Sequence, residues 1–156
     1  MIQEVFMADV LTFALGKFKF EVPTDRYYSD EGLWVLPEEG DRVRIGLSDF
    51  VQQRSGDVAF AEIGPEGTVL GVGDEVTVVE TIKVDIYFTS PVTGQVVEVN
   101  PAMETTPEVI NQDPYGDGWL AVIRAADWET DREKLLDPQA YYELMKRDAE
   151  EEARNL

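Results

Sequence analysis

The segment VVETIKVDIYFTSPVTGQVVEV, residues 78–99, decides how this chain is read. An alternating apolar run from Val76 to Val79 leads into it. A second strand-like run, Ile86 to Phe88, leads out, and a turn at Thr93-Gly94 precedes a third strand, Gln95 to Val99. Alternation sends successive side chains to opposite faces of a strand, so the pattern predicts paired strands with one buried face. A single lysine, Lys83, falls at the tip of the first hairpin. Glu80 stands three residues before it, and Pro91-Val92-Thr93-Gly94 follows.

A lysine in a β-turn is ordinarily just a solvated residue. Its surroundings set this one apart. An enzyme that acylates an ε-amine needs the amine to project, and a tight turn between paired strands holds the root of the side chain while leaving its stem free. A group hung there would reach a docked partner at high effective concentration. The reactivity would belong to the group and the positioning to the protein. Amide formation would also remove the positive charge of Lys83.

Outward from this hairpin, short strands are expected at Leu33–Leu36, Arg42–Gly46, Asp57–Glu62, Glu75–Glu80, Ile86–Thr89, Gln95–Asn100 and Trp119–Arg124. Glycine turns at Gly64-Pro65-Glu66-Gly67 and Val72-Gly73-Asp74 punctuate them, a pattern that predicts a sandwich or barrel. Ser48 is placed to cap a short helix, Asp49 to Arg54, that stops before Gly56. Asn111 to Gly118 reads as a loop. Core positions are expected at Val58, Phe60, Val76, Val78, Val97 and Val122. Upstream, LTFAL and FKFEV around Gly16-Lys17 predict a hairpin in an extension over residues 1–26. Downstream of the β domain (27–124), the segment 125–156 is expected to be helical. Asp137 caps and Pro138 opens a helix there, and Ala140, Tyr141, Leu144, Met145 and Ala149 share the face that packs on the β domain.

Composition narrows the chemistry. The 156 residues include no cysteine and no histidine, which removes thiol nucleophiles, Cys/His zinc sites and histidine general bases. The net charge of −19 opposes binding to nucleic-acid phosphates or anionic lipid and favours a basic partner surface. No apolar run approaches the ~18 residues of a membrane helix. The opening MIQEVFMADVLTF lacks a basic leader, so a cytoplasmic protein is expected. Glu108, Asp113 and Asp117 lack the spacing of a calcium loop. Trp34, Phe50, Phe60 and Trp119 read as core aromatics rather than a ligand face.

Against that background the stretches GDVAFAEI (56–63), GVGDEVTVVETIK (71–83), SPVTGQVVEVNPAM (90–103), TPEVINQDPYGDGWLAVIR (106–124) and LLDPQAYYELM (135–145) resemble the H protein of the glycine cleavage system, in that family's order and spacing. Ile82 and Val84 flank the lysine where biotinyl carriers have methionines. The resemblance implies a mainly β fold, the barrel–sandwich hybrid of biotinyl and lipoyl carriers, with a short internal helix and a C-terminal helix. It implies lipoate carried covalently on Lys83 by a non-catalytic carrier, with Glu80 marking the tip for a lipoate ligase or octanoyl transferase. It further implies a surface cleft that protects the loaded arm, with Glu31 and Asp85 candidates to flank it. The chain departs from the family at Val84-Asp85-Ile86, where Ala-Ala-Ser is usual, and at Gly32-Leu33-Trp34, where His-Glu-Trp is usual. Val84, Asp85 and Ile86, with the loop Asn111 to Gly118, would form the rim that partners see. The altered rim tilts the reading towards H-like carriers that serve a heterodisulfide-reductase-like complex in bacterial sulfur oxidation. The alternative is an H protein that carries an aminomethyl group among the glycine cleavage enzymes, dihydrolipoyl dehydrogenase included. An unmodified interaction module is the non-carrier reading.

Overall fold

The computed structural model describes residues 9–155. The hairpin β1 (Val10–Leu15) and β2 (Phe18–Pro23) comes first, then β3 (Tyr27–Tyr28), β4 (Leu33–Pro37), β5 (Arg42–Leu47) and helix α1 (Asp49–Ser55). Next are β6 (Val58–Ile63), β7 (Val69–Leu70), β8 (Glu75–Thr81), β9 (Asp85–Thr89) and β10 (Gly94–Val99). The short helices α2 (Ala102–Thr105) and α3 (Val109–Gln112) lead to β11 (Ala121–Ala125). Then α4 (Trp128–Asp131), a 3-10 turn (Arg132–Lys134) and the long helix α5 (Pro138–Arg154) follow.

Six strands form one antiparallel sheet in the order β3-β4-β5-β11-β10-β7, and β6-β8-β9 form a second. Val35, Ile45, Val96 and Ile123 from the larger sheet share a buried core with Ala61, Val76, Val79 and Phe88 from the smaller. Two packed sheets of this kind are the mainly β sandwich that the alternating runs predict.

A second core lies outside the first. Phe20 and Val22 of β2, Tyr28, Trp34, Phe50 of α1, and Tyr141, Met145 and Ala149 of α5 are buried together. Phe20 meets Phe50 edge-on at 5.2 Å, and Tyr28 stacks on Tyr141 at 4.5 Å. Burying a side chain of this size stabilises by roughly 1.5–3 kcal/mol. The β1–β2 hairpin and α5 are therefore fastened to the same side of α1.

Several local expectations are corrected. Phe60 is 50% exposed, because a bulge between Val58 and Phe60 shifts the pleat and leaves Ala61 and Ile63 pointing inward instead. Val97 is only half-buried, since a second bulge interrupts β10 between Val96 and Glu98. Gly94 is not a turn residue but the first residue of β10, opposite Ala125 and Leu70. A Cβ there would lie 2.1 Å from the Arg124 carbonyl oxygen, so close strand approach is what demands glycine. Helix α3 starts at Val109 and runs to Gln112, into the segment expected to be a loop from Asn111, and β11 spans Ala121 to Ala125 in place of the expected Trp119 to Arg124.

Candidate functional site

Strands β8 and β9 pair Val78 with Tyr87, Val79 with Ile86 and Glu80 with Asp85, which leaves Thr81-Ile82-Lys83-Val84 to turn the chain. Thr81 fixes that turn. Its Oγ1 accepts from the amides of Lys83 (3.1 Å) and Val84 (2.9 Å) and donates to the Val84 carbonyl (2.9 Å). Its own amide donates to the same carbonyl at 2.8 Å, and the Ile82 amide donates to Asp57 O at 3.1 Å. A threonine hydroxyl bonding its neighbours' backbone is the turn chemistry that this residue type favours. The root of Lys83 is thus held, while Ile82, Lys83, Val84 and Asp85 are all exposed.

Glu80 and Asp85 face each other on the last rung of the ladder, and both are exposed. Like charges directly opposite are mildly destabilising in a sheet. They give the tip an acidic collar around its lysine. Ile86 sits differently from its two neighbours: it is half-buried and packs on the main core, whereas Val84 is 42% exposed.

Lys83 Nζ donates to the carbonyl oxygen of Arg54 at 3.2 Å. That carbonyl belongs to the last turn of α1, where backbone acceptors lack partners within the helix. The helix starts on the Ser48 cap, whose Oγ accepts from Val51 N at 3.3 Å. It ends at Gly56, with φ 90, a left-handed conformation that side chains rarely adopt. Asn111 holds this end in place. Its Oδ1 accepts from Val58 N at 2.8 Å, and its Nδ2 donates to Gly56 O at 3.1 Å and Gln52 Oε1 at 3.0 Å.

Beside Lys83 lies an open cleft of about 260 Å³. Leu15, Phe18 and Phe20 of the hairpin form one wall. Phe50, Gln53 and Arg54 of α1 form the floor, and Ala149, Glu152 and Ala153 of α5 form the far wall. Arg54 lies over the Phe50 ring at 5.0 Å and pairs with Glu152 at 3.3 Å.

Glu31 does not line the cleft beside Lys83. Its Oε1 accepts from Thr89 N (2.8 Å) and Thr89 Oγ1 (2.9 Å), tying the β3–β4 loop to the end of β9. The crevice next to it has about 10 Å³ between Gly32, Val51, Tyr141 and Leu144, scarcely room for one water. The loop from Asn111 to Gly118 is anchored at the other end of α1. Tyr115 Oη donates to Glu21 O at 2.6 Å and accepts from Asp49 N at 3.0 Å, and Trp34 Nε1 donates to Pro114 O at 2.9 Å. Asp113 Oδ2 accepts the Asp117 amide at 2.8 Å, closing the loop on itself. Trp119 is half-buried under the Arg44 guanidinium at 4.2 Å.

Burial raises the phenol of Tyr141 to about 12, only partly offset by its hydrogen bond to Ser48. Burial pushes Tyr28 and Tyr115 higher as well, with Arg26 opposing the rise at Tyr28. These phenols stay neutral and serve packing. The site therefore presents a projecting amine on a fixed turn, an acidic collar and an apolar cleft.

Thr81 and the Arg54 carbonyl shape the site and were not singled out for it from sequence, whereas Asn111 opens the loop that was expected at the rim. Thr81 carried a local signal, a hydroxyl two residues before the turn lysine. The Arg54 carbonyl joins the site only through the fold.

The glycine cleavage H-protein family profile matches residues 26–148. Among curated relatives, a glycine cleavage system H protein of Thermus thermophilus is 44% identical over 131 residues, 83% of this chain and 99% of the relative. Another from Salinibacter ruber is 40% identical over 124 residues, 80% of this chain and 98% of the relative. The crystal structure of a glycine cleavage system H protein from Mycobacterium marinum matches with a TM-score of 0.69 at 28% identity, covering 82% of this chain and 99% of that one. The β1–β2 hairpin lies before the profile match. The lean towards sulfur oxidation, drawn from the altered tip, finds no support in these relatives, which back the glycine cleavage alternative instead. With its two-sheet fold and a profile match across most of its length, the chain belongs to the glycine cleavage H-protein family.

Proposed function

We propose that Lys83 is the lipoyl attachment site and that the chain carries an aminomethyl group among the enzymes of glycine cleavage. As a member of this family the chain is a non-catalytic carrier, and family members hold lipoate covalently on a lysine. The observation that carries the assignment to Lys83 is its turn, in which Thr81 fixes the backbone while the side chain projects. The residues present fit an acylated lysine. The amine is exposed, an amide there keeps one N–H for the Arg54 carbonyl, and apolar surface lies alongside.

When bound, lipoate supplies a disulfide that accepts the aminomethyl group and is later regenerated by dihydrolipoyl dehydrogenase. The chain's own residues position it. Thr81 and the β8–β9 ladder root the arm, and Glu80 and Asp85 give a lipoate ligase with a basic surface something to recognise. Val84 and Asp85 stand exposed at the rim that a partner meets first. The reading is of a cytoplasmic carrier whose charge of −19 favours basic partner surfaces.

Incubation with a lipoate ligase, lipoate and ATP tests the site. Intact mass should show one addition on the parent chain and none on Lys83→Arg. An addition that persists in that variant, or that maps to Lys17 or Lys134, would overturn the assignment.

A further inference from the structure

We propose that two copies of this chain pair through β1, edge to edge and antiparallel, with Thr12 opposite the second copy's Thr12. The hydrogen bonds of the hairpin fix which backbone groups are turned outward. The Thr24 amide donates to the Asp9 carbonyl at 2.8 Å, so Asp9 and Thr24 are a hydrogen-bonded pair. Such pairs alternate along an antiparallel ladder, and the register here is unbroken, so Leu11 with Val22, Phe13 with Phe20 and Leu15 with Phe18 are the next ones. The backbone groups of Lys19, Glu21 and Pro23 on β2, and of Val10, Thr12 and Ala14 on β1, therefore point away from the hairpin. The β2 edge is occupied. Gln53 Nε2 donates to Lys19 O at 2.8 Å, Tyr115 Oη to Glu21 O at 2.6 Å and Tyr28 Oη to Pro23 O at 2.6 Å, while Glu21 N donates to Asp49 Oδ2 at 2.9 Å. Among the described residues no strand pairs with the outer edge of β1. Native sheets guard such an edge with charge, proline or a bulge, and Val10–Leu15 (VLTFAL) has none of these.

Charge, register and packing select a second copy as the occupant. From Val10 to Phe20 there is no acidic residue, and Lys17 and Lys19 lie there, in a chain whose net charge is −19. A basic partner is drawn to the acid elsewhere, whereas another copy meets the least repulsion at this strip. Pairing about Thr12 sets each Val10 opposite the second copy's Ala14, so every outward group of β1 finds a partner. It also sets Leu15 opposite the second copy's Asp9, which brings that carboxylate next to the turn that holds Lys17; both charged residues are exposed. The same opposition recurs at the other end of the pairing, as two-fold symmetry requires. Leu11 and Phe13 are half-buried at the margin of the outer core. This register lays each Leu11 against the second copy's Phe13 on the same face, a cross-strand contact between an aliphatic and an aromatic side chain. No residue of the Lys83 turn takes part, so both tips of the dimer remain open to modification. The hairpin precedes residues 26–148, the part that the family profile matches, so this interface lies outside the matched region.

Sedimentation equilibrium of the full chain over a series of concentrations tests the pairing. The mass should rise from 17.6 kDa towards twice that, and amide exchange at Thr12 and Ala14 should slow in step. Thr12→Pro removes an outward amide and spares the ladder with β2, since proline is accepted where the N–H faces out of an edge. Ala14→Lys supplies the missing guard charge. Each should weaken association by about tenfold or more while keeping the parent's circular dichroism. The chain has no cysteine, so Thr12→Cys gives a single thiol. Opposed residues of a hydrogen-bonded pair have Cα atoms about 5.5 Å apart, within reach of a disulfide. Mild oxidation should therefore link Thr12→Cys into a covalent dimer far faster than Thr105→Cys, which is exposed on α2. A mass that stays at 17.6 kDa up to about 1 mM, a dimer that both edge variants leave unchanged, or equal linking of the two cysteine variants would each overturn the proposal.

Discussion

Lys83 Nζ donates to the Arg54 carbonyl across 3.2 Å, joining a hairpin tip to the end of a helix 29 residues earlier. The carbonyl lies at the negative end of α1, where a cation or an N–H donor is favoured. This contact orients the amine without burying it. It places the lysine beside the cleft lined by the hairpin and α5, on residues other than those around the crevice at Glu31.

If the turn is built by Thr81 and not by the lysine, the two residues will separate in a stability measurement. Thr81→Val removes the oxygen that accepts two amides and should cost about 1 kcal/mol or somewhat more in urea unfolding. Lys83→Ala removes an exposed contact and should stay within about 0.5 kcal/mol of the parent. A larger loss for Lys83→Ala than for Thr81→Val would make the lysine structural.

Glu80 opposes Asp85 on the final rung, so neither carboxylate is there for the sheet's benefit. Glu80→Gln should leave unfolding unchanged or slightly improved while slowing lipoylation by a ligase. The rate on the parent should also fall as salt is raised, since the Debye length is only about 8 Å at physiological ionic strength. Unchanged ligase kinetics in Glu80→Gln, with no salt dependence, would remove the acidic collar from recognition.

How much of this was open to reading from the sequence depends on the range of the physics. Ser48 and Asp137 announce their helices because capping involves residues three apart, and both side chains do cap. Val76 reports a buried face because alternation is local, but Val78, expected inside as well, is only half-buried: the register shifts between Glu75 and Thr77, and Val79 takes the core position. Phe60 misled because a bulge resets the alternation, and no residue type marks it. Helices α2 and α3 are four residues each and lack side-chain caps, so they leave no periodic trace. Lys83 was legible as a projecting amine, but its cleft was not. Leu15, Arg54, Lys83 and Ala149 meet only when the hairpin and α5 dock together on α1.

The buried phenols set a limit at high pH. Tyr141 rises from an ordinary value of 10.0 to about 12 in the folded chain, so the fold binds its proton more tightly than the unfolded chain does. Its contribution is complete below pH 10 and is lost as pH climbs through about 12. Each such tyrosine should cost on the order of 1.4 kcal/mol per pH unit in that window. Urea midpoints should fall between pH 10 and 12, with the buried phenols ionising together with unfolding. Urea midpoints that stay constant from pH 10 to pH 12 would contradict the burial.

The central claim is that Lys83 presents lipoate to glycine cleavage enzymes, and loading tests it most directly. The lipoylated chain should be mixed with glycine and a pyridoxal-phosphate glycine decarboxylase and followed by intact mass. The account predicts a gain of one aminomethyl group on the lipoylated parent and none on Lys83→Arg. A chain that is fully lipoylated on Lys83, yet gains no mass while a genuine H protein is loaded alongside it, would contradict the account.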